Sequence, residues 1–410
     1  MYVCNVNKLN LLCFQHKIYD LGKGYYDVLE EDSFCRDLQQ YLNRLLGLGH
    51  KAIIANILEK IGTCVVEHKK NSLRVKALGV VTEFTKLLRG QRDKDYFQIV
   101  ATIISGWIGG EQEYHKIYDQ IFVQIGSVIK KMLSLQLWRE AEPLVTVSYD
   151  VNCSSVSADI EFKKKVSKLH SEIADQEAIQ SLMHCFLESK EPSRKVTGGL
   201  LKALAPHSSE AMITSLFKCS KKETRLALLE MIPEESEGVL PVLIGKLKDR
   251  QPWYVVRNSM ILLGTLRDSD LYSFARPFLC HPDSRVQSEV LHCTVALGGK
   301  DVSARLVTAF QTINDDVKEQ LIDLLVLLDG PNIETLFLEI LEQRTNLPCM
   351  IRERLATKIC SSDHIRASRR SLTVLRDIVQ ESNDISLGFD SALDAARKLL
   401  SKFEDADNQP

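Results

Sequence analysis

An apolar helix stripe returns at near-regular intervals through the second half of the chain. It reads Val196-Leu200-Ala203, Thr224-Leu228-Met231, Val256-Met260-Leu263, Val286-Val290-Cys293-Leu297, Val317-Leu321-Leu324-Leu328, Ile351-Leu355-Ile359 and Phe389-Leu393-Ala396-Leu400. Successive stripes begin 28, 32, 30, 31, 34 and 38 positions apart. Apolar residues at i, i+4 and i+7 share one face of an α-helix. One helix cannot bury that face alone, but a stack of like units can, each covering its neighbour. The pattern predicts a stacked helical array.

A second set of apolar helices is predicted between the stripes, at residues 178–188, 211–218, 239–248, 271–279, 303–311, 333–343 and 372–380. Each precedes one striped helix, which gives about seven helix pairs. Pro192, Pro252, Pro282 and Pro348 fall in the short turn inside a pair, where the first-turn amides have no helical partner to lose. Gly264, Gly298 and Gly330 stand where second helices should close, and Asp283, Asp315 and Asp316 stand at or near helix starts.

The residues of two pairs carry a family resemblance. Lys248-Asp-Arg-Gln-Pro-Trp-Tyr-Val-Val-Arg-Asn258, ending in Leu262-Leu-Gly264, resembles a HEAT repeat, as does His281-Pro-Asp-Ser-Arg-Val-Gln-Ser-Glu289 running to Ala296-Leu-Gly-Gly299. The resemblance is to compact bacterial HEAT-repeat (armadillo-like) proteins in particular. It covers roughly residues 175–402 and is strongest over 239–330. It implies an all-α, right-handed α-solenoid of antiparallel pairs whose curved face binds another macromolecule.

Before residue 175 the sequence is helical without a clear register. Helices are expected at 34–46, 51–67, 73–88, 96–107, 114–133 and 160–173, with turns at 47–49, 90–93, 109–110 and 151–157. The expected organisation is an irregular helical region over 1–174, possessing divergent pairs or standing as a separate domain. The HEAT-like array over 175–402 and a frayed acidic tail over 403–410 follow it.

Composition narrows the function. With 52 Lys and Arg against 54 Asp and Glu, the chain lacks the basic excess of a general polyanion binder. Eleven cysteines occur without regular pairing, which reads as free thiols in a reducing compartment. The apolar piece at 11–14 is too short for a signal-peptide core, and the weakly polar run at 99–110 is about half of a membrane span. A cytoplasmic protein without membrane insertion is expected.

The position after the first apolar residue of each stripe holds Thr197, Arg225, Arg257, Gln287, Lys318, Arg352 and Asp390. Four of these seven are basic and should align down the stack. They are read either as an ion ladder to Asp249, Asp283, Asp315 and Asp316 in adjacent turns, or as a stripe receiving acidic peptide or phosphate. Trp253 and Tyr254, beside Arg257 and Asn258, are the aromatic candidates, as packing residues or as binding anchors. Asn258 is read as a bridge between repeats.

Cys280-His281 and His292-Cys293 carry zinc-ligand chemistry at a spacing unlike the common closed sites, and no Cys-x-x-Cys occurs. None of the ten histidines precedes Glu, so the His-Glu iron ligands of HEAT-like hydroxylases are missing. A HEAT-like DNA glycosylase would need a tryptophan-rich cleft, yet only Trp253, Asp249 and Arg257 cluster. Gly22-Lys-Gly24 and Gly109-Gly110 lack phosphate-loop context, and Glu30-Glu31 and Glu234-Glu235 read as solvated pairs.

The sequence therefore supports a non-enzymatic scaffold or adaptor for a protein partner, with no cofactor and no metal. The alternatives are a nucleic-acid-binding or base-repair HEAT protein, a cofactor-handling lyase or chaperone, and the regulatory part of a longer signalling protein. The stripe also makes a local prediction: Leu324 should be fully buried, so that Leu324→Ala costs about 2–5 kcal/mol.

Overall fold

Four aspartates show how local chemistry starts these helices. Asp93, Asp159, Asp175 and Asp283 each accept a hydrogen bond from a first-turn amide that has no helical acceptor, at 3.2, 2.7, 2.8 and 3.0 Å. A computed structural model describes residues 2–153, 159–219, 221–232, 238–248, 250–328 and 373. Among the described residues there are eighteen α-helices and no strand. The chain divides into two compact units, 1–239 and 240–410.

The first unit contains α1 (Tyr2–Gly22), α2 (Asp32–Leu48), α3 (Lys51–Glu67), α4 (Asn71–Leu87), α5 (Lys94–Gly110) and α6 (Tyr118–Ser134). It continues with α7 (Trp138–Cys153), α8 (Ile160–Ile173), α9 (Gln176–Glu188), α10 (Ser193–Ala203), α11 (Ser209–Lys218) and α12 (Lys222–Met231). The packing order makes two layers. One runs α1, α3, α5, α7, α10, α12, and the other runs α2, α4, α6 and on to α8 and α9. Apart from the step from α8 to α9, successive helices of these two layers cross from one to the other, which is the antiparallel pairing of an α-solenoid.

Close approach within a layer is made possible by glycine. A Cβ on Gly62 of α3 would sit 2.6 Å from Ile103 of α5. Gly264, expected to end its helix, has the same kind of role in the second unit: α14 runs past it to Thr265, and a Cβ there would lie 3.3 Å from Ala296. Gly298, with φ +71°, does close α16.

The second unit holds α13 (Val239–Leu247, which begins one residue before the boundary), α14 (Trp253–Thr265), α15 (Tyr272–Ala275), α16 (Ser284–Leu297), α17 (Val302–Phe310) and α18 (Asp315–Leu327). Helices α14, α16 and α18 stack side by side, with α15 and α17 on the other layer. Their apolar faces form one core that includes Val256, Met260, Leu263, Val286, Val290, Cys293, Val317 and Leu321. The stripes of α14 and α16 are thus buried as predicted.

Three local expectations need correction. The helix expected at 271–279 is broken into a 3-10 turn, the four-residue α15 and a second 3-10 turn over Arg276–Cys280, because Pro277 has no amide to donate. In α10 the core face starts at Thr197 with Leu201 and Leu204, leaving Val196 half-exposed. In α18 the buried residues are Val317, Leu321, Ile322 and Leu325, whereas Leu324 is only half-buried. At 3.6 residues per turn, that set centres the core face between Leu321 and Leu325 and puts Leu324 on its edge. The stripes at 351–359 and 389–400 lie outside the described residues. Chemical denaturation should therefore show Leu321→Ala losing about 2–5 kcal/mol and Leu324→Ala clearly less; equal losses would contradict this register.

Candidate functional site

The basic column turns inward to the chain's own backbone and side chains. Arg225 donates to the Cys219 carbonyl at 3.2 Å. Arg257 pairs with Glu289 of the neighbouring helix at 3.3 Å. Lys318 reaches Asp315 in its own first turn at 2.7 Å, and its ammonium lies 5.3 Å from the Phe310 ring. Thr197 and Gln287 are buried, and Arg352 lies outside the described residues. Gln287 donates to the His281 carbonyl at 2.8 Å and accepts from the Asn314 amide at 2.8 Å, so its side chain bridges two repeats. Asn258, expected in that role, is buried with its Nδ2 making no hydrogen bond.

Of the aspartates expected as ladder partners, Asp249 lies outside the described residues and Asp315 pairs with Lys318. Asp283 is held by Arg285 of its own helix through two hydrogen bonds of 3.0 and 2.7 Å, which keeps its carboxyl below the usual range. That same guanidinium stacks 3.4 Å from the centre of the Trp253 ring. Trp253 is half-buried against the core of the second unit, and Tyr254 meets it edge-on with 40% of its own surface exposed. The aromatic pair thus includes one packing residue and one accessible ring.

No group of three or more His, Cys, Asp or Glu converges to hold a metal among the described residues. Cys293 is a core residue whose thiol burial pushes its pKa up to about 12, and His281 accepts from the Asp283 amide at 3.0 Å. A Ser–His contact does occur: Ser148 Oγ lies 3.0 Å from His170 Nδ1, but both residues are buried and Ser148 donates to the Val145 carbonyl at 2.7 Å. That geometry gives a substrate no access to the hydroxyl.

A concave groove lies in the first unit, where sequence reading placed no site. It has a volume of about 990 Å³ and runs over α4, between α2 and α6. Its lining on α4 follows helical spacing: Ser72, Lys76, Gly79, Glu83 and Lys86. Cys35 and Gln39 of α2 form one wall, and Ile117, Gln120, Ile121, Val123 and Gln124 at α6 form the other. Ile117 and Val123 are exposed apolar residues at 51% and 64%. The charges are already spent within the chain: Lys76 pairs with Asp32, Lys86 with Glu83 and Asp119 with Lys165.

A buried carboxylate holds the helices that make this groove. Glu111, just after α5, is 4% exposed and accepts five hydrogen bonds. Arg74 of α4 donates at 3.0 Å, Trp107 Nε1 of α5 at 3.1 Å and the Tyr118 hydroxyl of α6 at 2.8 Å. The Gln112 and Glu113 amides complete the set at 3.1 and 3.3 Å. Burial and the hydrogen bond to Glu111 raise the Tyr118 pKa, so the phenol stays a proton donor. Arg74 also donates to the Val65 carbonyl of α3 at 3.0 Å.

Comparison with known proteins shows no family. No family model matches the sequence, and no curated protein matches it. Among solved structures, that of Efr3 is similar at 17% identity over 88% of this chain and 78% of the other, with a TM-score of 0.39. The karyopherin Kap121p bound to the SUMO protease Ulp1p is similar at 12% identity and TM-score 0.38, over 90% of this chain but 45% of that one. A circular tandem repeat protein is similar at 11% identity and TM-score 0.31, over 96% and 95%. At these values nothing of their biology transfers, and nothing narrows the resemblance to compact bacterial members.

The buried imidazole yields a pH prediction. Burial lowers the pKa of His170 from its ordinary 6.5. Below that value the unfolded chain takes up the proton more readily than the folded one, so the contribution of His170 is full above about pH 6.5 and is lost as pH falls. Thermal melting followed from about pH 7.5 to 5.5 should show a decline that His170→Gln makes shallower. An unchanged slope in the variant would contradict the assignment.

Proposed function

We propose that this chain is a non-enzymatic helical-repeat scaffold that receives a protein partner in the groove over α4. The observation that supports this reading is the groove's character: open, long, of mixed polarity and without uncommitted charge. Small-molecule sites are enclosed and mostly apolar, and nucleic-acid surfaces need free cations, whereas protein interfaces combine apolar anchors with a polar rim. The exposed Ile117 and Val123 supply anchors, while Gln39, Gln120 and Gln124 supply the rim.

The basic column contributes repeat spacing under this reading, and Tyr254 is a secondary contact candidate. The reading places the protein in a reducing compartment such as the cytoplasm, in keeping with free thiols at Cys64 and Cys293. Among the described residues no helix is long and apolar enough to cross a membrane.

Affinity purification from native lysate tests the proposal, with and without nuclease and with mass spectrometry as the readout. The comparison is wild type against the double variant Gln120→Arg with Val123→Glu, both at exposed positions on α6. Nuclease-resistant protein partners should be recovered by wild type and depleted from the variant. Recovery of nucleic acid alone, or of the same proteins by both chains, would overturn it.

A further inference from the structure

Helix interiors avoid glycine, because glycine loses the most backbone freedom on folding. Those in this chain mostly have a visible steric reason. Gly62 faces Ile103, Gly106 faces Val66 at 3.1 Å, Gly126 faces Leu169 at 3.2 Å and Gly264 faces Ala296. Gly79 is different. It is the ninth of the seventeen residues of α4, and a Cβ built on it meets nothing within 4 Å. The other described helical glycines without such a neighbour, Gly22, Gly47, Gly110 and Gly245, lie in last turns.

Gly79 also lines the groove on its middle helix, flanked by α2 and α6. Its missing side chain leaves open space on the floor, with nothing within 4 Å of where a Cβ would stand; Val75 lines the groove one turn before it, and Cys35 and Ile121 line the two walls. The folded chain alone does not need that space. We infer that the open space above Gly79 is the specificity pocket of the groove, and that it accepts one large apolar side chain from an otherwise uncharged segment of a partner protein.

Charge complementarity sets the second half of that statement. Lys76, Glu83, Lys86 and Asp119 are each paired within the chain, so a charge brought into the groove would have to displace an existing partner to gain a counter-charge. Gln39 and Gln120 carry both donor and acceptor atoms for the segment's backbone. This inference rests on the groove being a protein-binding site, and it adds which residue selects the partner and by what chemistry.

The test uses the full chain and a displayed random-peptide library, followed by anisotropy titration of the enriched peptides. Selected peptides should share one Leu, Met, Phe or Trp with uncharged neighbours. Gly79→Leu should weaken them at least about tenfold by filling that space. Gly79→Ala should weaken them less while raising Tm by about 2–4 °C, because alanine stiffens the helix where there is room for it. Binding and stability thus move in opposite directions, which a merely structural glycine would not produce.

Three results would overturn the inference: peptides without an apolar anchor, equal affinity in Gly79→Leu, or a lowered Tm in Gly79→Ala. If Gly79→Leu binds normally while Gln120→Arg with Val123→Glu loses its partner, the pocket is wrong and the scaffold reading stands. If neither variant loses binding, both the inference and the groove reading are wrong.

Discussion

The shared carboxylate of Glu111 is the interaction on which the groove depends. It draws together the start of α4, the end of α5 and the start of α6, and through Arg74 it reaches the last turn of α3. A buried carboxylate is costly to desolvate and is tolerated when its lone pairs are filled and a cation is near. Here five donors fill them. Removing one partner of such a buried pair typically costs about 3–5 kcal/mol, far more than an exposed ion pair contributes. The aromatic faces of Trp107, Tyr118 and Phe162 surround the cluster, with ring centres 5.0 to 6.4 Å apart, and exclude water from it.

A second device recurs along the chain. Arg74, Arg194, Arg225 and Gln287 each stand in the first turn of a second helix and donate to a carbonyl near the end of the preceding one: Val65, Phe186, Cys219 and His281. Helix ends leave carbonyls without partners, and three of these donors bring positive charge to the negative end of a dipole. The basic column is explained in part by this need. Among the described contacts, column members reach the Cys219 and His281 carbonyls, Glu289 and Asp315, because the turns bring both carbonyls and carboxylates within reach of a long side chain.

The array was legible in the sequence wherever packing and periodicity coincide. The stripes of α14 and α16 read correctly, and α3 and α8 match their expected bounds, since strong apolar spacing leaves one burial solution. Helix α7 was missed because Pro143 inside it reads as a break, and α1 because its apolar residues keep no clear stripe. The groove was illegible for a different reason. It is made by polar, small and apolar residues on three helices that are distant in sequence, and only their packing aligns them. Glu111 carries no signal of its own in the sequence, because the aromatic and basic donors that define its role come from residues 74, 107 and 118. Gly79 was equally silent, because a glycine without a neighbour can be recognised only once the neighbours are in place.

Under the proposed reading, partner binding depends on how firmly α4 and α6 are held, since they form the floor and one wall of the groove. Native-state hydrogen exchange on wild type and Glu111→Gln measures that coupling directly. The account predicts that amides of α4, α5 and α6 lose protection together in the variant while those of α14, α16 and α18 keep theirs. Loss confined to the few residues around Glu111, with α4 and α6 as protected as before, would contradict it.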